Sequence, residues 1–377
     1  MRHFITLVLI APLILSLNNC GPKYIPQSEV DMPEYHFKAG MRYLEKGEYA
    51  DAIEAFDRSV GLNKKFGPGW AGLGLATGLN GDLKQGRKFM DKALKFGKNN
   101  PDIHVLAGRL WTAHREVNNK WLKRAVKEFE IALDLKPKHE GATYYLGEAY
   151  FYAYDFRKAE REFRKVVDWK GDLAGKADEM WELSQRIVRA KPGTLAGKKI
   201  AIKLKIDRAD LAVLFIEELK LPELFERFLP KEIPEFQTPG QMAKKTSIIL
   251  PPDVRGIWAE RWIGEVMELG VLETDPDGRF YPDEPLMRAG YAKAVARILV
   301  AVTRDPELET RYFGEDPSRF ADVSSSHYAY SSMALCAERG IMKADLITGK
   351  FNPNGTVTGV DALLIIRGIQ NSLRMTF

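Results

Sequence analysis

Two arginines, Arg208 and Arg288, each stand two residues after an apolar residue and open a helical run, in Ile206-Asp207-Arg208-Ala209-Asp210 and Leu286-Met287-Arg288-Ala289. A guanidinium fixed at such a place can grip a carboxylate through two parallel N–H bonds. It can equally be a surface ion-pair partner, so the pattern leaves recognition of an acidic group and plain structure both open. Other chemistry is excluded more readily. His3, His36, His104, His114, His139 and His327 are far apart with no ligand-like spacing, which argues against zinc. Asp275, Asp277 and Gly278 begin like a calcium loop, but Arg279-Phe280-Tyr281-Pro282 supplies no further oxygen ligands, and the segment reads as a turn. The adjacent acids Glu217 and Glu218 lie on a charged helix face, and no phosphate loop, nucleophile elbow or Cys–His pair occurs. No catalytic residue, metal or cofactor is expected.

The elements that would position these side chains come in repeats. Gly40, Gly74 and Gly108 stand thirty-four residues apart, the spacing of a solenoid in which each helical hairpin buries its apolar face against its neighbours. Gly40-x-x-Tyr43, Trp70-x-x-Leu73-Gly74 and Leu146-Gly147-x-x-Tyr150 share one pattern, and Ala52-x-x-x-Phe56, Ala125-x-x-x-Phe129 and Ala159-x-x-x-Phe163 share another. A small residue lets two helices cross closely and the aromatic fills the space beside the crossing. Gly108 to Gly147 and Gly86 to Ala125 are thirty-nine residues apart, whereas Ala125 to Ala159 is again thirty-four. Five extra residues therefore fall around Glu116 to Lys120, at a hairpin turn.

These residues resemble the tetratricopeptide repeat over about four units. The resemblance implies a concave surface made by the first helix of each hairpin, a groove for a helix or extended segment of a protein partner. The thirty-four-residue register puts Phe37, Met41, Leu44, Leu75, Arg109, Tyr144, Glu148 and Phe151 on that surface, and packing between units is the competing role for each of them.

A second, longer rhythm follows Pro192. Asp253-Val254, Trp258-Ala259, Leu269-Gly270-Val271, Gly278-Arg279-Phe280-Tyr281-Pro282 and Leu286-Met287-Arg288-Ala289 recur in order as Asp322-Val323, Tyr328-Ala329, Arg339-Gly340-Ile341, Gly349-Lys350-Phe351-Asn352-Pro353 and Val357-Thr358-Gly359-Val360-Asp361. This order resembles S-layer homology repeats, with a degenerate first copy whose opening helix surrounds Trp181 and whose connection runs from Lys191 to Lys205. The resemblance implies three copies in one compact pseudo-threefold unit, and arginines lining grooves for acidic wall polysaccharide. It carries that role to Arg208, Arg288 and Trp258 but not to the third arginine position, which is Gly359.

The first twenty residues carry a separate message. Arg2 and His3 precede an apolar stretch, Phe4 to Leu17, too short to span a bilayer comfortably, and Cys20 follows. Leu17-Asn18-Asn19-Cys20 resembles a bacterial lipoprotein box, in which the cysteine is lipidated and becomes the new N-terminus; Asn19 departs from the family's small residue. With Gly21 rather than aspartate next, the resemblance implies the outer membrane, facing the periplasm. The net charge of +5 comes from interspersed signs, with no one-signed stripe for nucleic acid.

The expected fold is mainly α: a tetratricopeptide α-solenoid followed by a mostly helical pseudo-threefold S-layer-homology unit. Residues 1–20 are read as signal, 21–32 as tether, 33–176 as solenoid, 177–225, 250–301 and 319–372 as the three later repeats, 226–249 as linker and 302–318 as connector. The expected function is a non-catalytic, lipid-anchored envelope scaffold or adaptor. It would hold a protein partner in the solenoid and envelope glycan or protein in the second unit, without nucleic acid. An assembly factor for outer-membrane or exopolysaccharide-export machinery is the first alternative. An envelope glycan hydrolase is the second, for which no carboxylate pair stands out.

Overall fold

A computed structural model describes residues 24–29, 31–228 and 249–376. The signal segment with Cys20 lies outside the described residues, as does most of the expected linker. Among the described residues there are sixteen α-helices and no strand beyond isolated bridges. The chain divides into two compact units, Met1–Tyr152 with Trp169–Leu173 and Ala153–Asp168 with Ala174–Phe377.

The first unit is a run of helical hairpins: α1 (Pro33–Lys46) with α2 (Tyr49–Leu62), α3 (Gly67–Leu79) with α4 (Leu83–Gly97), α5 (Pro101–Ala113) with α6 (Trp121–Leu135), then α7 (Glu140–Tyr152). Prolines in the first turns of α1, α3 and α5 start the helices where a missing N–H does no harm. The Asp82 and Asn100 side chains cap α4 and α5. The turns within the first two hairpins contain two and three residues, whereas that between α5 and α6 contains seven, from His114 to Lys120. The interruption thus sits where the spacing placed it.

Close crossings explain the glycine rhythm. A Cβ on Gly40 would lie 2.6 Å from the Phe56 ring, and one on Gly108 2.5 Å from the Phe129 ring. Ala52, Phe56, Ala125 and Phe129 are all fully buried, so each Ala-x-x-x-Phe pair forms the inner face of its hairpin's second helix. Histidines tie helices together both within a hairpin and between hairpins. His104 on α5 contacts Glu128 on α6 at 2.8 Å, and His139, just before α7, contacts Asp102 on α5 at 2.9 Å.

The second unit holds α8 (Phe156–Trp169), α9 (Ala174–Ala190), α10 (Leu195–Ala201), α11 (Arg208–Glu217), α12 (Leu221–Phe228), α13 (Glu260–Glu268), α14 (Arg288–Thr303), α15 (Tyr330–Glu338) and α16 (Gly359–Thr376). Its symmetry is written in the backbone. Ile206 N–H donates to Val357 O at 2.9 Å, Leu286 N–H to Ile206 O at 2.9 Å, and Val357 N–H to Leu286 O at 3.1 Å, closing a three-membered ring. A second ring lies two residues on: Arg208 N–H to Glu284 O, Arg288 N–H to Gly355 O, Gly359 N–H to Lys203 O. The three segments before α11, α14 and α16 are therefore equivalent around one pseudo-threefold axis, including the degenerate copy.

These helices form the core. Leu211 through Phe215 are fully buried, Phe215 meets Tyr291 edge-on at 5.8 Å, and the Tyr291 hydroxyl donates to Ala362 O at 2.9 Å. A helix apolar on every side must be surrounded by other elements. The turns are clamped by the repeat-opening aspartates. Asp253 accepts from Phe280 and Tyr281 N–H, and Asp322 from Phe351 and Asn352 N–H, where Tyr281 and Asn352 hold positive φ of 55° and 57°.

Candidate functional site

The three equivalent helix starts place Arg208, Arg288 and Gly359 at one position of the threefold. Arg288 is half-buried. Its Nε donates to Phe351 O at 2.8 Å and its Nη2 to Lys343 O at 2.9 Å, and the guanidinium lies 4.7 Å from the Phe351 ring centroid. Arg208 repeats the arrangement with Phe280, again at 4.7 Å, and donates from Nη2 to Glu273 O at 2.8 Å, while its Nε is buried without a partner. Each arginine ties its helix to the turn of the neighbouring repeat. Burial pulls the Arg288 pKa down from its ordinary value, which costs the charged form some stability and must be offset by those bonds. Two of its five N–H donors are occupied by backbone carbonyls, which gives the side chain a structural role in the unit.

The third position is filled differently. A Cβ on Gly359 would sit 1.7 Å from Ile200 O. The degenerate first copy has no glycine–phenylalanine turn; α10 occupies that place, and only a glycine can pass it. Nearby, Asp210 forms a capping box with Asp207 and accepts from Lys203 Nζ at 2.7 Å through both oxygens.

Trp258 is exposed (58%) and tilts against Trp262 at 6.1 Å, with Lys203 Nζ 6.0 Å from its ring. It borders an open cleft of about 470 Å³ that Glu260, Arg261, Glu265 and Glu268 also line. Its counterpart in the next repeat is Tyr328, exposed at 73%, stacked on His327 at 4.5 Å and with Lys293 Nζ 5.3 Å from the ring. Each of the two repeats thus presents one exposed aromatic beside one lysine.

The solenoid groove differs from its expectation. Leu44 and Leu75 are buried in the core of the first hairpins, and Phe151 is also buried, so these three are not surface for a partner. Phe37 and Met41 are half-buried and pack on the same core, Phe37 lying 5.8 Å from Phe56 and 6.0 Å from Phe66. The cause is repeat stacking: the row of residues that would face a groove is largely consumed by the first helix of the next repeat. What stays accessible is polar and aromatic. Arg109 lies 4.2 Å over the Tyr145 ring and Arg115 4.4 Å over Tyr152, while Tyr144 lies 5.1 Å from Tyr145 and is half-buried. Burial pushes the Glu148 carboxyl above its usual range, against the pull of Arg109 and Arg115.

Residues 33–66 match the tetratricopeptide repeat family, and residues 252–292 and 319–363 match the S-layer homology domain. The chain carries both kinds of module. S-layer homology domains point to the cell envelope or surface, and tetratricopeptide repeats to protein partners. The chain is also similar to an uncharacterized cell wall amidase of Bacillus anthracis, 33% identical over 115 residues, which are 30% of this chain and 20% of that one. It therefore spans about a fifth of the length of the curated relative it matches.

In the S-layer homology unit, sequence reasoning overlooked Tyr328 and Lys293, although the repeat alignment that singled out Trp258 also aligns Tyr328 with it. In the tetratricopeptide unit it overlooked Arg115, Tyr145 and Tyr152; Arg115 lies in the lengthened turn, where a fixed thirty-four-residue register cannot follow. Among the described residues no group of three or more His, Cys, Asp or Glu side chains is placed to hold a metal ion, and no helix is long and apolar enough to cross a membrane.

Proposed function

We propose that this protein is a non-catalytic adaptor of the cell envelope, held at the outer membrane by a lipid on Cys20. Its tetratricopeptide unit holds a protein partner, and its S-layer homology unit contacts an acidic envelope polysaccharide. The observation that carries the glycan assignment is the repetition of an exposed aromatic at equivalent positions, Trp258 and Tyr328, with Lys293 beside Tyr328; Lys203, near Trp258, is held by Asp210. Aromatic faces stack on sugar rings and a lysine pairs with the polymer's carboxylates. Arg208 and Arg288 support the site by fixing the turns beside it. The partner groove is centred on Arg109, Tyr144 and Glu148 and suits a segment carrying both charges.

The test is cosedimentation of the chain from Gly21 onward, which retains every described residue, with purified sacculi and with acidic envelope polysaccharide. Trp258→Ala/Tyr328→Ala should lower binding by about tenfold or more, as loss of two stacking contacts implies. Retention of full binding by that variant would overturn the assignment. Binding to neither polymer by the unsubstituted chain would favour the alternative of an assembly factor for outer-membrane or exopolysaccharide-export machinery. Similarity to a cell wall amidase makes one more measurement necessary: release of new amino groups or reducing ends from sacculi would overturn the non-catalytic reading. Crosslinking and mass spectrometry in the native cell would name the protein partner.

A further inference from the structure

Within the expected tether, Tyr24 is seated on the first hairpin. Tyr24 N–H donates to Gly61 O at 3.2 Å, its hydroxyl donates to Asp57 at 3.0 Å, and the Arg58 guanidinium lies 4.6 Å over its ring. Gly61 makes the seat, because a Cβ there would lie 2.0 Å from the Tyr24 ring. Tyr24 is four residues on from Cys20, at most about 14 Å of extended chain.

Beside that seat, at the C-terminal ends of α2 and α4, opens a cleft of about 430 Å³ lined by Val60, Lys64, Trp70, Lys92, Lys95 and Phe96, with one acid, Asp57, which also holds the Tyr24 hydroxyl. Phe96 is 40% exposed, and Lys92 Nζ lies 4.2 Å from the Trp70 ring. The surrounding edge is basic: α4 carries Lys84, Arg87, Lys88, Lys92 and Lys95 against one acid, Asp91, and the exposed Lys65 and Lys98 stand in the flanking loops. The outer side of α2 away from the cleft is by contrast acidic, with Asp51 and Glu54. The positive charge is therefore localised, and it surrounds the exposed Phe96 ring and the half-buried Trp70.

We propose that this edge docks on an anionic phospholipid bilayer, with Phe96 and Trp70 at the headgroup level and the lysines on lipid phosphates. Aromatic rings with a lysine rim suit an interface whose one side is apolar and whose other carries negative charge. The inference rests on the reading of Cys20 as lipidated for its orientation: a lipid within four residues of Tyr24 holds this edge against the bilayer. Docking would then fix the solenoid's orientation rather than leave it on a swivel.

The experiment is cosedimentation of the chain from Gly21 onward with vesicles of phosphatidylcholine alone and of phosphatidylcholine with phosphatidylglycerol at roughly three to one. Binding should require the anionic lipid. Lys64→Glu/Lys65→Glu/Lys95→Glu/Lys98→Glu should lower it by about 600-fold or more, since each of the four lysines contributes about fivefold near such a surface. The control Lys123→Glu/Lys127→Glu, on α6, should leave it within about threefold. Because the quadruple variant could misfold, a salt titration of the unsubstituted chain gives an independent answer: binding must fall steeply with ionic strength. Equal binding to both vesicle types, no binding to either, or full binding by the quadruple variant would overturn the proposal. Palmitate labelling of the full chain tests Cys20 separately; absence of label would remove the anchor and leave the vesicle result standing on its own.

Discussion

Replacing Arg288 by alanine should loosen the S-layer homology unit far more than replacing Arg208. Arg288 makes two charge-assisted bonds, to Phe351 O and Lys343 O, and covers the Phe351 ring. At about 1.5 kcal/mol for each bond and about 1 kcal/mol for the ring contact, less an offset for burying its charge, the loss is about 3 kcal/mol. Arg208 makes one such bond and leaves its Nε buried without a partner, so its net contribution is about 1.5 kcal/mol. The assay uses a built-in probe. In the chain from Gly21 onward Cys336 is the only cysteine; it is fully buried on α15, and burial pushes its thiol pKa up. It can react with a disulfide reagent only when the unit opens, and its labelling rate reports the opening equilibrium. Arg288→Ala should raise that rate by about 100-fold and Arg208→Ala by about tenfold, at 1.4 kcal/mol per decade. If Arg288→Ala left the rate within about twofold of the unsubstituted chain while abolishing polysaccharide binding, the arginine would be a ligand group and the reasoning from its backbone bonds would be wrong.

Other outcomes follow from single contacts. Gly359→Arg, which restores the third motif arginine, should prevent stable folding of the second unit, because its Cβ would lie 1.7 Å from Ile200 O; a soluble variant with unchanged Cys336 labelling would contradict this. Phe56→Ala empties a fully buried site between Gly40 and Gly72 and should destabilise the solenoid by about 3 to 5 kcal/mol in urea unfolding. The bond to Glu128 raises the His104 pKa, outweighing burial. A folded pKa above the unfolded 6.5 gives stability that is complete below that pH and is lost as pH rises through the folded value. The solenoid should therefore unfold at higher urea at pH 6 than at pH 8, and His104→Gln should shrink that difference; an unchanged difference would remove His104 from the account.

The periodic features of this protein were legible because a repeat forces the same crossing on each unit. Ala52 and Phe56 predict Ala125 and Phe129, and a five-residue excess between Gly108 and Ala125 locates the lengthened turn, all without coordinates. The register could not say which residues of a first helix face a partner and which face the next repeat. Leu44 and Leu75 occupy positions equivalent to groove positions in pattern, yet stacking buries them, and the distinction depends on superhelical geometry that no spacing encodes. The arginines teach the converse. Arg208 and Arg288 were recognisable from their motif, but their donors are taken by Glu273, Lys343 and Phe351 carbonyls more than fifty residues away in sequence, so their role depends on how the copies close on one another. That closure also gives the departure at Gly359 its meaning. A missing arginine looks like a lost binding site when the sequence stands alone. With α10 placed where the other copies carry a glycine–phenylalanine turn, there is no ring for an arginine to cover and no space for its Cβ. The third position is therefore a seam that closes the threefold, and its glycine belongs to that closure as the two arginines belong to theirs.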